Sequence, residues 1–241
     1  MESRLTLKRP AAPVRELVLE ILRTEIIEGR FEPGRRLTER ELTEMLGVSR
    51  TVLREGLRQL ESEGLVSLIP NKGLIVRALT AEEARELYRI RETLEGLGAR
   101  LFAEKPDPQR IALLEEALRD VEAAYGLEEP STILRAKNAF YEEIHTGAGS
   151  NTLSKMLATV LAQIWRWRAV GLTHPRRSAD RSAESVSKLR DVVDAIKAGD
   201  GDRAEHAAKV EARLAAVEVL RILDSLEGSD DNGKMEQPKR T

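Results

Sequence analysis

The stretch from Thr38 to Leu60 leaves this chain the least freedom. Thr38-Glu-Arg-Glu41 has the spacing of a capping box, in which threonine and glutamate satisfy N–H groups that a helix start leaves unpaired. A helix opens there, carries Leu42, Met45 and Leu46 inward, and ends at Gly47, where a left-handed residue is favoured. Ser49 can cap the next helix, from Arg50 to about Glu63. Leu42, Leu46, Val48, Leu53, Leu57 and Leu60 supply the apolar face that locks the two helices together. Helix, a short Gly47-Val-Ser49 turn, helix is the spacing of a helix-turn-helix.

The second of these helices carries Arg50, Arg54 and Arg58 at i, i+4 and i+8, so they form one stripe away from Leu53, Leu57 and Leu60. A solvated face is the plainer reading of three arginines on any helix. Here the stripe coincides with caps, turn and a following hairpin. A major groove admits a helix, and guanidinium groups pair with guanine edges or phosphates. Ser49 and Thr51 at the helix start, and Arg40 on the preceding helix, are candidate phosphate contacts. Leu65-Val-Ser-Leu-Ile69 and Leu74-Ile-Val-Arg-Ala78 read as short strands. Pro70-Asn-Lys-Gly73 joins them, with Asn71, Lys72 and Gly73 as the tip of a wing. Upstream, Val14, Leu17, Val18, Ile21, Leu22 and Ile26 recur at helical spacing, and Gly29 supplies the stop.

From Thr80 onward the pattern is helical throughout. Thr80-Ala-Glu-Glu83 is a second capping box and opens a helix to about residue 104. Asp107-Pro108 is a cap followed by proline at the first helical position. Further helices follow to about 125, from 131 to 146, 151 to 170, 178 to 198 and 200 to 226. The expected fold is mainly α: an N-terminal winged helix-turn-helix plus a C-terminal all-α helical bundle. The expected divisions are a flexible basic arm over 1–12, a winged helix-turn-helix over 13–78, a helical effector-binding and dimerisation domain over 79–227, and a disordered tail over 228–241.

Composition excludes several chemistries. The chain has no cysteine, so disulfides, thiolate metal sites and a cysteine nucleophile are ruled out. Aromatics are 3%, too few for base-stacking platforms on single strands. The longest run without Asp, Glu, Lys or Arg spans Ile144 to Ser154, well short of the ~18 apolar residues a spanning helix needs. With no apolar signal core at the N-terminus, a cytoplasmic protein without membrane contact is expected. The formal net charge of −2 conceals a division: residues 1–78 hold 14 basic and 12 acidic side chains, the remainder 25 and 29.

Phe31-Glu-Pro-Gly-Arg-Arg-Leu-Thr-Glu-Arg-Glu-Leu42, Leu46-Gly-Val-Ser-Arg-Thr-Val-Leu-Arg-Glu-Gly-Leu57 and Leu60-Glu-Ser-Glu-Gly-Leu-Val66 resemble the winged helix-turn-helix of the GntR family of bacterial transcription regulators. Val52 stands where many members carry proline. Leu87-Tyr-Arg-Ile-Arg-Glu-Thr-Leu-Glu95, Tyr141 through Asn151, Arg181-Ser-Ala-Glu184 and Ala195-Ile-Lys-Ala-Gly-Asp200 resemble the FCD ligand-binding domain of its FadR-like branch. The resemblance implies a homodimer on double-stranded operator DNA, regulated by a small-molecule effector, and repression rather than activation. It places operator contacts at Arg40, Ser49, Arg50, Thr51, Arg54 and the wing turn.

Many members of that branch hold a divalent metal through one aspartate and three histidines, and the metal helps hold a carboxylate effector. The matching positions here are Asn138, Glu142, Ser185 and Glu211, none of the usual ligand type. Nitrogen-poor ligands make a weak transition-metal site, though oxygen ligands such as Asn138, Glu142 and Glu211 could hold a harder cation. No cofactor is expected with certainty, and a divalent metal less than in relatives. Arg91 and Arg181 are candidate carboxylate anchors, or else ordinary ion pairs. His145 is expected at a surface or interface, His174 in a structural loop, and one of Trp165 and Trp167 in the core. Two rival readings stand: a DNA-binding dimer whose bundle only dimerises, and, remotely, a metal-dependent hydrolase using Glu142 and Glu211. No nucleophile elbow, His-Glu-x-x-His or phosphate loop supports an enzyme.

Overall fold

The computed structural model describes residues 12–27, 29–78, 80–173, 178 and 180–233. Internal contacts divide the chain into two compact units, Met1–Ala78 and Leu79–Thr241.

The first unit opens with α1 (Ala12–Ile27), continues through β1 (Arg36–Leu37), α2 (Glu39–Leu46) and α3 (Arg50–Ser62), and closes with β2 (Val66–Ile69) and β3 (Gly73–Val76). The three strands form an antiparallel sheet in the order β1-β3-β2, with Leu37 opposite Leu74 and Val66 opposite Val76. β1 lacks the alternating run that marks a strand in sequence; two residues suffice because β3 offers them an unpaired edge. The core comprises Val18, Leu22, Phe31, Leu37, Leu42, Leu53, Leu57, Leu60, Leu65, Val66 and Val76. Gly56 lets α1 approach α3, since a Cβ there would stand 3.3 Å from Val18 Cγ1. On α1 the apolar ridge is only partly used: Val18 and Leu22 are buried, whereas Val14, Leu17 and Ile21 are exposed. Met45, expected inward, is also exposed.

The second unit is a bundle of six helices among the described residues: α4 (Ala81–Glu104), α5 (Pro108–Leu127), α6 (Pro130–Gly147), α7 (Asn151–Thr173), α8 (Arg181–Lys197) and α9 (Gly201–Gly233). Thr80 and Glu83 form the reciprocal capping box that starts α4. At Thr38 only half of such a box forms, because the Glu41 carboxylate turns to Arg35. α4 and α9 form the most extensive helix pair, flanked by α7 and α8. One apolar cluster gathers Ala99, Phe102, Leu114, Phe140, Leu189 and Ala204, and a second gathers Tyr88, Ile164, Val219 and Leu223. Along α4, Arg91 and Glu95 fall between the residues of the two clusters, and along α9 Glu211 does the same.

α9 extends to Gly233, into the segment expected to be a disordered tail. A helix already nucleated gains a hydrogen bond per added residue, so a composition too polar for a core can still continue it. Residues 234–241 lie outside the described residues, as do 1–11 of the expected arm and His174. No helix among the described residues is long and apolar enough to cross a membrane.

Candidate nucleic-acid interface and effector cavity

α3 is set up locally from both ends. Ser49 is its N-cap, its Oγ accepting from Val52 N at 3.4 Å, and Gly47 turns the chain at φ 65° just before it. Leu53, Gly56, Leu57 and Leu60 fix the buried face. Arg50, Thr51, Arg54 and Arg58 are consequently exposed, as are Ser49 and Arg40. Arg54 Nε donates to Glu39 Oε1 at 2.7 Å, which ties α3 to α2 and orients the guanidinium. The same hydrogen bond holds the Glu39 carboxyl below its ordinary range. The Arg40 and Arg58 side chains have no hydrogen bond or ion pair among the described residues. At the wing tip, Asn71 (φ 65°) and Gly73 (φ 82°) take left-handed conformations, which Asn and Gly tolerate best. Asn71 and Lys72 are exposed, while Gly73 is half-buried beside the Arg36 guanidinium and serves the turn. This is a convex cationic surface, with a helix and a hairpin tip free to meet a polyanion.

The bundle holds a partly open cavity of about 50 Å³, lined by Tyr88, Arg91, Lys137, Arg168, Arg181 and Glu218 among others. Behind it lies a network centred on Glu211, which has no solvent exposure. Lys137 Nζ donates to Glu211 Oε1 at 2.8 Å and to Ser185 Oγ at 2.9 Å; Ser185 Oγ donates to Glu211 Oε1 at 2.7 Å; Arg181 Nη2 donates to Glu211 Oε2 at 3.0 Å. Burial pushes the Glu211 carboxyl up, but Lys137 and Arg181 outweigh it and hold the group low, as a carboxylate. Arg91 Nε donates to Glu95 Oε1 at 2.8 Å and the guanidinium sits 5.4 Å from the Tyr141 ring centroid.

Arg91 and Arg181 thus serve both readings of them: each is ion-paired and each lines the cavity. Ser185 and Glu211 support the cavity from behind. Asn138 is half-buried and Glu142 is exposed, and neither lines it. Lys137 and Arg168 escaped the sequence reading. Their signal was spacing: Lys137 continues the α6 stripe of Ile133, Leu134, Phe140, Tyr141 and Ile144, and Arg168 continues the α7 stripe of Leu157, Val160 and Ile164. His145, expected at a surface or interface, is buried within the bundle and stacked on Tyr141, because the two stand one helical turn apart on that same stripe. Burial pushes its pKa down. Trp165 and Trp167 are both half-buried.

These residues do not fit a divalent metal. Both Glu211 oxygens are already engaged by cationic donors, and Glu142 points a carboxylate at solvent rather than at Glu211. Among the described residues no three His, Asp or Glu side chains gather as a metal site would require. The same placement separates the two carboxylates that a hydrolase would need as a pair.

Comparison with known proteins accounts for both halves. Residues 15–76 match the gntR family of bacterial regulatory proteins and residues 86–210 match the FCD domain. The uncharacterized HTH-type transcriptional regulator YdhC of Bacillus subtilis is 32% identical over 158 residues, covering 65% of this chain and 70% of that one. The probable D-xylose utilization operon transcriptional repressor of Paenarthrobacter nicotinovorans is 29% identical over 211 residues, covering 85% and 86%. Among solved structures, McbR/YncC of E. coli shares the fold with a TM-score of 0.74 at 24% identity, over 89% of this chain and 98% of that one. The proteins matched are transcription regulators, not enzymes. This chain belongs to the GntR family of DNA-binding transcription regulators, with an FCD domain as its C-terminal half.

Proposed function

We propose that the protein is a sequence-specific repressor that binds a palindromic operator as a homodimer and responds to a small carboxylate held in the bundle. The observation that carries the DNA reading is the exposed Arg50–Arg54–Arg58 stripe on a helix whose opposite face is buried. α3 enters the major groove, Arg54 and its neighbours read base edges, and Ser49, Thr51, Arg40 and the wing residues Asn71 and Lys72 hold phosphates. Two-fold symmetry of the protein pairs with two half-sites. Repression is supported by the relative whose name describes a repressor of a utilization operon. The cavity lined by Arg91, Lys137, Arg168 and Arg181 supports an anionic effector. An effector that binds one arrangement of the dimer better than another shifts operator affinity by that difference.

The test is fluorescence anisotropy on DNA from upstream of the protein's own gene, with unrelated competitor DNA and varied salt. Preferential binding that weakens about 10-fold to 100-fold in Arg54→Ala is the expected result. Equal affinity for competitor DNA overturns the reading.

A further inference from the structure

We propose that the bundle cavity is a metal-independent receptor for a compact oxyanion, in which the Lys137 ammonium occupies Ser185 and Glu211 in place of a divalent cation and Arg168 anchors the ligand. The inference rests on the effector reading above and narrows it to a ligand class and a binding mode.

Among the described residues four cationic side chains line the cavity: Arg91, Lys137, Arg168 and Arg181. Three of them are compensated. Arg91 holds Glu95, and Lys137 and Arg181 share the two oxygens of Glu211. The one acidic group lining the cavity among the described residues, Glu218, accepts from Ser178 N at 2.9 Å and pairs with Arg221 at 2.8 Å. Arg168 is only 8% exposed and has no hydrogen bond or close ion pair among the described residues; the buried Glu95 carboxylate attracts it, but that carboxylate is held by Arg91. Burial, with Arg91 nearby, pushes its guanidinium down to about 10. A buried guanidinium without an acceptor is an expensive arrangement unless something anionic enters.

Two further groups at the cavity lack what an oxyanion supplies. Arg181 Nη1 is buried with no hydrogen-bond partner, its nearest carboxylate oxygen being Glu184 Oε2 at 3.8 Å. The Tyr88 hydroxyl is buried with no acceptor for its proton. Among the described residues, donors from α4, α7 and α8 therefore line one small space whose own carboxylate, Glu218, is already engaged by Ser178 and Arg221. At about 50 Å³ and partly open to solvent, that space takes the compact anionic head of a ligand rather than a bulky apolar group. A carboxylate and a phosphate share the required chemistry.

A divalent cation has no place in this arrangement. It would have to displace Lys137 and Arg181 from Glu211 while lying beside their positive charges. The ammonium already supplies fixed positive charge at the wall, at 2.8 Å from the carboxylate.

The experiment is thermal unfolding and calorimetric titration of the full-length protein with acetate, malonate and inorganic phosphate, each with and without EDTA, and with zinc or nickel alone. At least one anion is expected to raise the midpoint by roughly 5–10 °C near a hundredfold its Kd, equally in EDTA, with no rise from metal alone. Which anion does so separates the carboxylate from the phosphate source. Arg168→Met is expected to abolish the rise while leaving the ligand-free midpoint at or above wild type, since it removes an uncompensated buried charge. Should that variant fail to fold, Tyr88→Phe, which removes only a hydroxyl, is expected to weaken binding about tenfold. No shift with any anion, a shift that needs metal, or unchanged binding in the variants overturns the proposal. Operator anisotropy on the same ligand-free preparations distinguishes this failure from a failure of the DNA-binding reading.

Discussion

Replacing Lys137 by methionine keeps the length of the side chain and deletes the charge that faces Glu211. The structure sets the magnitude. Glu211 is fully buried and loses one of three donors, the 2.8 Å ammonium contact, while keeping Ser185 at 2.7 Å and Arg181 at 3.0 Å. Removing one partner of a buried pair costs about 3–5 kcal/mol because the other charge is left uncompensated. Partial compensation by Arg181 places Lys137→Met at the low end, about 3 kcal/mol, or roughly 6–12 °C in a chain of this size. Glu211→Gln is worse, about 5 kcal/mol, because it strands two buried cations facing one amide. The double variant leaves only Arg181 uncompensated and falls at least ~2 kcal/mol below the sum of the singles, within the usual range for contacting pairs. Urea unfolding followed by tryptophan fluorescence is the assay, since both tryptophans, Trp165 and Trp167, lie on α7 and report on the bundle alone. Singles that add to within ~0.5 kcal/mol, at unchanged denaturant slope, would refute the coupled network.

Three other outcomes follow from the geometry. Glu39→Ala removes the acceptor that holds Arg54 at 2.7 Å, so base discrimination relaxes while the thermal midpoint is little moved; an anisotropy series over operator variants checks this. Gly147→Ala places a Cβ in the Phe102 ring, since an ideal Cβ there would lie within 2.6 Å of three ring atoms; it destabilises by about 1–3 kcal/mol, and a melting point at or above wild type contradicts it. Burial holds the folded-state pKa of His145 below its ordinary 6.5, so the unfolded chain binds the proton more readily. His145 therefore withdraws stability as pH falls below about 6.5, with none lost above it, and His145→Gln flattens that part of the profile; an unfolding series across pH 5–8 that shows no such flattening removes the assignment.

The N-terminal unit was legible because its information is local. Caps, a three-residue turn and an arginine stripe sit within one stretch, and each is a short-range demand that the chain alone must meet. Arg50, Arg54 and Arg58 are exposed for the reason their spacing gave: the leucines on the opposite face are buried. β1 was not legible, because a strand of two residues carries no period and exists only through its partner. The bundle helices were legible from their periodicity, the site within them much less so. Asn138 and Glu142 drew attention through correspondence with metal ligands, yet Glu142 faces solvent and Asn138 does not reach the cavity. The residue that matters on α6 is their neighbour Lys137.

What identifies such a residue is a contradiction within one sequence pattern. On five helices a charged side chain occupies the apolar stripe: Arg91 on α4, Lys137 on α6, Arg168 on α7, Arg181 on α8 and Glu211 on α9. Each helix places its charge where periodicity demands a leucine, and packing those stripes together would bury charge at great expense if the charges did not meet. Four of the five meet an acid or a base: Arg91 meets Glu95, and Lys137 and Arg181 meet Glu211. Those pairings explain how the bundle tolerates them, and an apolar core would have served stability as well or better. Pairing leaves Arg168 over, beside the unbonded Arg181 Nη1, and a fold that needed only to dimerise would have no use for that surplus. The unpaired charge is therefore the strongest argument that the bundle holds a ligand, and it makes Arg168 the position where a purely structural bundle and a receptor part company: the first gains from Arg168→Met without loss, the second gains stability and loses its effector.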